Sequence, residues 1–195
     1  MTEQELIQGC IEQDRRSQKE LYKRYFPLMS SIALRYTNNQ EEAIQQMNLG
    51  FFKVLNSLEK FNDQYALATW IRNILVNHLI DEFRKNKKHI TNIHITDFQE
   101  YDFGISLNEG ALKLEEQELR ALLKTLPEVT QKVFNMYAID GFKHTEIGTL
   151  LGISNGTSKW HVSEARKRLK VQIERHYGEV KKRLKLDYEQ DRRHF

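Results

Sequence analysis

The densest chemistry in the chain lies between His144 and Leu169, HTEIGTLLGISNGTSKWHVSEARKRL. Hydroxyl and amide side chains alternate there with lysines and arginines, types that reach base edges and phosphate oxygens. Thr145 can cap a short helix whose inward residues are Ile147, Leu150 and Leu151. Gly152 stands where a turn needs a left-handed backbone, Ile153 fills the corner, and Ser154 or Asn155 can cap a second helix. On that helix Val162, Ala165 and Leu169 face inward. This leaves Asn155, Thr157, Ser158, Lys159, His161 and Ser163 exposed near its start and Arg166, Lys167, Arg168 and Lys170 further on. The spacing predicts a helix-turn-helix whose second helix fits a major groove about 12 Å wide. An ordinary helical hairpin with a solvated basic face would use the same residue types. Trp160 suits either a stacking contact or packing on the preceding helix.

A second constellation follows Phe61. The run FNDQYALAT carries turn-forming Asn62 and Asp63 and two aromatics, Phe61 and Tyr65. Beyond it Arg72, Asn77, Arg84, Lys85, Lys87 and Lys88 form a basic and amide-bearing surface opposite core residues. Single-stranded nucleic acid prefers such charge beside aromatic rings. Phe61 and Tyr65 are candidate stacking platforms, but an aromatic near a helix end more often closes a core, and Trp70 fits the core reading better still.

The charge distribution agrees. The formal net charge is only +3, but from Asn155 to Phe195 twelve Lys or Arg face six Asp or Glu. That local excess suits a polyanion. Residues 90–112 reverse it, with Asp97, Glu100, Asp102 and Glu109 and no Lys or Arg. Such a stretch is either simply solvated or suited to a positively lined channel. No glycine-rich phosphate loop, metal-ligand spacing of His or Cys, or nucleophile elbow occurs. The scattered histidines, His78 and His144 among them, read as solvated or hydrogen-bonding residues, and Cys10, the single cysteine, as a small core residue. The expectation is a protein that is not an enzyme, with no cofactor, no metal and no small-molecule substrate. With 39% hydrophobic and 29% charged residues the chain reads as globular. It has no run of roughly 20 apolar residues and no signal-peptide pattern at MTEQELIQGC, so no membrane insertion and a cytoplasmic location are expected.

Helices must position these groups, because two prolines and nine glycines leave the three-and-four apolar spacing almost unbroken. Leu21, Tyr22, Tyr25, Leu28, Met29, Ile32, Ala33 and Tyr36 form one stripe, with a helix break expected near Pro27. Asn38 to Glu42 start a helix carrying Ile44, Met47, Phe51, Val54, Leu55 and Leu58 inward and ending near Lys60. Trp70, Ile71, Ile74, Leu75, Leu79 and Phe83 mark the next. Periodicity lapses from Lys85 to Leu112, then resumes with Leu119, Leu122, Leu123 and Leu126, and Pro127 opens a further helix. The reading is all-α: two small helical domains, 1–88 and 113–178, joined by an irregular acidic linker, 89–112. A basic tail, 179–195, is either disordered or a frayed helix.

LPEVTQKVFNMYAIDGFKHTEIGTLLGIS followed by GTSKWHVSEARKRL resembles region 4 of extracytoplasmic-function sigma factors of the sigma-70 family. ELIQGCIEQDRRSQKELYKRYFPLMSSIALRY, GFFKVLNSLEKF and TWIRNILVNHLIDEFRKNKK are similar to region 2 of that family. The resemblance implies a transcription initiation factor with core RNA polymerase, promoter DNA and an anti-sigma factor as partners. Region 4 would read the minus-thirty-five element through Thr145, Asn155, Thr157, Ser158, Lys159, His161, Ser163, Arg166 and Lys167. Region 2 would read and open the minus-ten element through Phe61, Asn62, Tyr65, Arg72, Asn77, Arg84 and Lys85. It would dock on polymerase through Gln45, Asn48, Leu49, Phe52 and Lys53. The chain departs from the family pattern in that docking helix, where Gln45, Asn48 and Leu49 replace mostly acidic residues, and at Asn73, which replaces a basic one. Gly148 stands where the family often has alanine, either being small enough for helix-helix contact. Two other readings use the same residues: a DNA-binding regulator acting without polymerase, and an adaptor that binds polymerase or an inhibitor without opening DNA.

Overall fold

A computed structural model describes residues 1–86 and 116–191, with side chains described for 1–86 and 118–175. Four helices build the N-terminal half: α1 Glu3–Ile11, α2 Arg15–Tyr36, α3 Gln40–Leu55 and α4 Leu67–Asn86, with a 3₁₀ turn at Leu58–Lys60. The rest contains α5 Glu116–Lys124, α6 Glu128–Phe134, a π-helical turn at Asn135–Ile139, α7 His144–Leu151 and α8 Asn155–Asp191. No strand occurs among the described residues, as expected of an all-α chain. The linker residues Asp97, Glu100, Asp102 and Glu109, with Lys87 and Lys88, lie outside them. The backbone of α8 runs through Gly178 to Asp191.

Local sequence sets the helix starts. Thr2 and Glu5 form a reciprocal capping box before α1. Asp14 accepts bonds from the Arg16 and Ser17 amides at the start of α2, and Asn39 accepts from Glu42 at the start of α3. Pro127 occupies the cap of α6, as its fixed φ suits.

Three expectations require correction. Pro27 does not break α2, which is continuous across it. Proline removes one backbone hydrogen bond, but Leu21 and Tyr25 before it and Met29, Ile32 and Ala33 after it are buried in one core while Pro27 itself is exposed. Tertiary packing on both sides outweighs the local defect. The α-helix begun at Gln40 ends at Leu55, and only the 3₁₀ turn reaches Lys60. Ile44, expected inside, is 47% exposed on the outer face of α3.

α2, α3 and α4 pack around Leu21, Met29, Ile32, Met47, Val54, Ile71, Leu75 and Ile80, with Leu6 and Cys10 of α1 closing one end. The same apolar cluster continues into the C-terminal half through Val133, Met136, Ile147, Leu151, Ile153 and Val162. A smaller cluster, Leu123, Leu126, Phe134, Ala165 and Leu169, ties α5 and α6 to α8. Burial of these side chains supplies the main driving force for helices that would be marginal alone.

Candidate nucleic-acid interface

The turn between α7 and α8 is built as the sequence predicts. Gly152 adopts φ 69° and ψ 33°, a left-handed conformation that needs no Cβ, and Ile153 is buried in the corner. The Ser154 hydroxyl accepts from the Thr157 amide at 3.0 Å and caps α8. At the start of α7 the cap differs from expectation. Lys143 is the capping residue, its amide donating to Glu146 at 2.7 Å, while Thr145 lies within the first turn, exposed. Gly148 also differs: a Cβ there would stand 2.8 Å from the Ile153 carbonyl oxygen, so this corner has room for glycine and not for alanine without a backbone shift.

The largest correction concerns α8. Thr157, Ser158 and His161 were expected to face outward by residue type, yet they are 3%, 0% and 5% exposed. They share the inward stripe with Val162, Ala165 and Leu169, and counting one turn back from Val162 and Ala165 would have found Ser158 and His161. Buried polar groups need partners. His161 Nδ1 and the Thr130 hydroxyl share a hydrogen bond of 2.9 Å, and His144 Nδ1 and the Ser158 hydroxyl another of 2.9 Å. His144 in turn stacks on Tyr137 with ring centroids 4.3 Å apart. These bonds pin α8 to α6 and α7. Burial depresses the His161 imidazole to about 4, against a small opposing pull from Glu164, so the ring is neutral in neutral solution.

What remains on the outer side of α8 is a narrower set: Asn155 and Lys167 are exposed, Lys159, Ser163 and Arg166 half-buried, and Trp160 half-buried edge-on to His161 at 4.9 Å. Short polar groups at the start and bases beyond can meet base edges and phosphates respectively.

In the N-terminal half, Asn62 and Tyr65 are exposed, Tyr65 by 67%, whereas Phe61 packs edge-on against Trp70 at 5.3 Å. Phe61 therefore closes the core end of the loop and Tyr65 is its open aromatic. Asn77, Arg84 and Lys85 are exposed on α4, with Lys85 Nζ 2.6 Å from Glu82. Arg72 is drawn elsewhere. Its Nε lies 3.9 Å from Asp140, a buried carboxylate of the C-terminal half that also accepts bonds of 2.7 Å from Arg35 and from the Tyr36 hydroxyl. Burial raises the Asp140 carboxyl above its ordinary range, opposed by Arg35, Tyr36 and Arg72. Burial, reinforced by the Asp140 charge, pushes the Tyr36 hydroxyl far up. Neither Asp140 nor Arg35 is marked by its sequence neighbourhood, because they meet across about a hundred residues of chain.

The outer face of α3 brings Gln45, Asn48, Leu49, Phe52 and Lys53 together, all exposed. Asn48 accepts from the Tyr22 hydroxyl at 3.0 Å. Sequence reasoning missed one apolar member of this face, Ile44, 47% exposed, which adds to Leu49 and Phe52, 47% and 63% exposed; Phe26 of α2 is also 42% exposed. The missing carboxylates are thus accompanied by exposed hydrophobic area, which only the packing of α3 reveals. Among the described residues no His, Cys, Asp and Glu group could hold a metal ion, and no helix is long and apolar enough to cross a membrane.

Comparison with known proteins places this geometry in context. Residues 21–89 match the family model "Sigma-70 region 2" and residues 116–169 match "Sigma-70, region 4". The chain is 26% identical over 142 residues to RNA polymerase sigma factor SigV of Bacillus subtilis (strain 168), covering 73% of this chain and 82% of that one. It is 22% identical over 185 residues to the ECF RNA polymerase sigma-E factor of Haemophilus influenzae, covering 89% and 96%. The fold is similar to that of the sigma factor RpoE in a co-crystal with the anti-sigma factor NepR from Bartonella quintana. There the TM-score is 0.52 and the identity 20%, over 80% of this chain and 96% of that one.

Proposed function

The chain belongs to the extracytoplasmic-function group of the sigma-70 family, and from that premise we propose that it lends core RNA polymerase its promoter specificity, one domain reading each promoter element. Members of this family initiate transcription without catalysing a reaction themselves. Binding energy for an unpaired strand stabilises the melted promoter, so no hydrolysis is required of the factor.

The observation that carries the reading is the open face of α8. Asn155 and Lys167 are exposed and Lys159, Ser163 and Arg166 half-buried, while the scaffold holds Ser158 and His161 inside, so a fixed helix presents the five to the minus-thirty-five major groove. Thr145, exposed at the start of α7, is positioned for a phosphate. Tyr65, Asn62, Asn77, Arg84 and Lys85 form the minus-ten surface, Tyr65 stacking on an extruded base. The face of α3 docks on polymerase through Leu49, Phe52 and Ile44, with Gln45, Asn48 and Lys53 as a polar rim. An anti-sigma factor that covers these surfaces in the cytoplasm completes the reading. Its support is the solved relative, itself bound to one.

The test is reconstitution with purified core polymerase and native promoters of the source cell, reading unpaired thymines and run-off RNA. Factor-dependent opening is expected. Binding to promoters without polymerase, or polymerase binding without opening, would overturn the proposal in favour of a free regulator or an adaptor. Co-purification from the source cell tests the anti-sigma partner.

A further inference from the structure

The exposed face of α3 continues onto α2. Along that helix Arg15, Lys19 and Lys23 recur every four positions and Phe26 follows three later, which places all four on one side, and all are exposed. Among the described residues no carboxylate lies within ion-pair distance of Arg15, Lys19 or Lys23, whereas Arg24 of the same helix stands 3.7 Å from Glu20. Two neighbours join this cationic flank to α3. Tyr22, beside Lys23, donates its hydroxyl to Asn48 at 3.0 Å and packs edge-on against Phe51, with ring centroids 5.1 Å apart. The Tyr22 ring also lies 5.7 Å from that of Phe26. Gln18, beside Lys19, lines a groove of about 470 Å³ with Cys10 and Ile11 of α1 and Phe52 and Leu55 of α3, and Glu59 is the only acid among the lining residues. The groove therefore lies between the cations of α2 and the apolar face of α3, sharing Phe52 with the latter.

We propose that core RNA polymerase is gripped by α2 as well as α3, with Arg15, Lys19 and Lys23 as a cationic border, and that the polymerase element fitting this surface is an apolar ridge edged with acidic side chains. This rests on the function proposed above and names the chemistry of its docking partner. Nucleic acid would meet the cations but leave the apolar part uncovered, because protein–DNA interfaces are polar. An interface between proteins instead surrounds an apolar centre with a polar rim. Leu49, Phe52, Ile44 and the groove supply that centre here, and the flank of α2 supplies one side of the rim.

Charges at a rim act mainly on partner choice and on the rate of encounter. Three cations on one helix side, with no carboxylate beside them, attract an acidic border and repel a basic one. The apolar centre, by contrast, is indifferent to the sign of the partner and governs how long the complex lasts.

The experiment follows association of the full chain with purified core polymerase by biolayer interferometry, comparing the wild type with Lys19→Gln/Lys23→Gln and Lys19→Glu/Lys23→Glu. At about 50 mM salt the neutralised variant should associate several-fold more slowly than the wild type and the reversed variant about tenfold more slowly. At about 1 M salt, where the Debye length is about 3 Å, the three rates should converge, and dissociation should change little throughout. Circular dichroism checks folding, and Arg15→Glu repeats the test from the other end of the stripe if a double variant fails to fold. Equal rates in all three proteins overturn the proposal, and so does faster association of the reversed variant, which would mean a basic border on polymerase. Unchanged core binding with weaker retention of promoter DNA by the assembled holoenzyme also overturns it, giving the stripe to nucleic acid. A wild type that binds core but opens no promoter strikes the proposed function and leaves the rate comparison to judge the docking surface; a wild type that binds no core overturns both.

Discussion

Acidifying the solution from pH 8 to pH 5 should cost this protein about 2 kcal/mol of stability through His161 alone. The imidazole is 5% exposed and titrates at about 4 when folded, against an ordinary 6.5. Between those values the unfolded chain binds the proton and the folded chain does not, so stability falls as pH falls through that window. At pH 5 the unfolded ring is almost fully protonated and the folded ring almost wholly neutral, which gives the figure above. The full loss, about 3 kcal/mol, is reached below pH 4. Urea denaturation followed by tryptophan fluorescence measures it, since Trp160 lies edge-on to His161. The comparison is with His161→Gln, which keeps hydrogen-bonding groups but does not titrate. His78 is also buried and depressed by desolvation, and its contribution cancels because both proteins carry it. The variant's lower baseline is immaterial, because the quantity compared is the loss between the two pH values. Equal losses in the two proteins would refute the burial of His161 and with it the assignment of Thr130 as its partner.

Gly148→Ala should lower stability by about 1–3 kcal/mol despite alanine's better helix propensity, because its Cβ would meet the Ile153 carbonyl oxygen at 2.8 Å; a thermal melt that moves upward contradicts this. Phe52→Ala and Leu49→Ala should each weaken core polymerase binding by about tenfold while leaving the melting temperature within a degree or two, since both side chains are exposed in the free chain. Equal affinity in a competition assay would remove the apolar face of α3 from the docking surface. Lys159→Ala and Arg166→Ala should weaken minus-thirty-five binding. A phosphate contact would reduce the slope of log affinity against log salt by about 1, and a base contact would relax sequence preference instead. Binding unchanged in both respects would confine the reader to Asn155, Ser163 and Lys167.

The sequence alone determined what depends on neighbours a few residues away. The helical periods, the Asn39 and Pro127 starts, the left-handed turn at Gly152 and the buried plug at Ile153 were all legible, because spacing and backbone preference are local properties. Gln45, Asn48, Leu49, Phe52 and Lys53 were singled out through resemblance and not through their own chemistry, and α3 leaves them exposed. What residue type alone misread was which side of a polar helix is covered. Ser158 and His161 look like contact residues until α7 and α6 supply His144 and Thr130 as partners from well outside their own helix. Pro27 reads as a break until the core on both sides keeps α2 continuous, and Ile44 reads as core until α3 turns it to the surface. The cluster around Asp140 was invisible for the same reason. Asp140 stands 68 to 105 positions from Arg72, Tyr36 and Arg35, and only the fold brings a carboxylate, two guanidiniums and a phenol together.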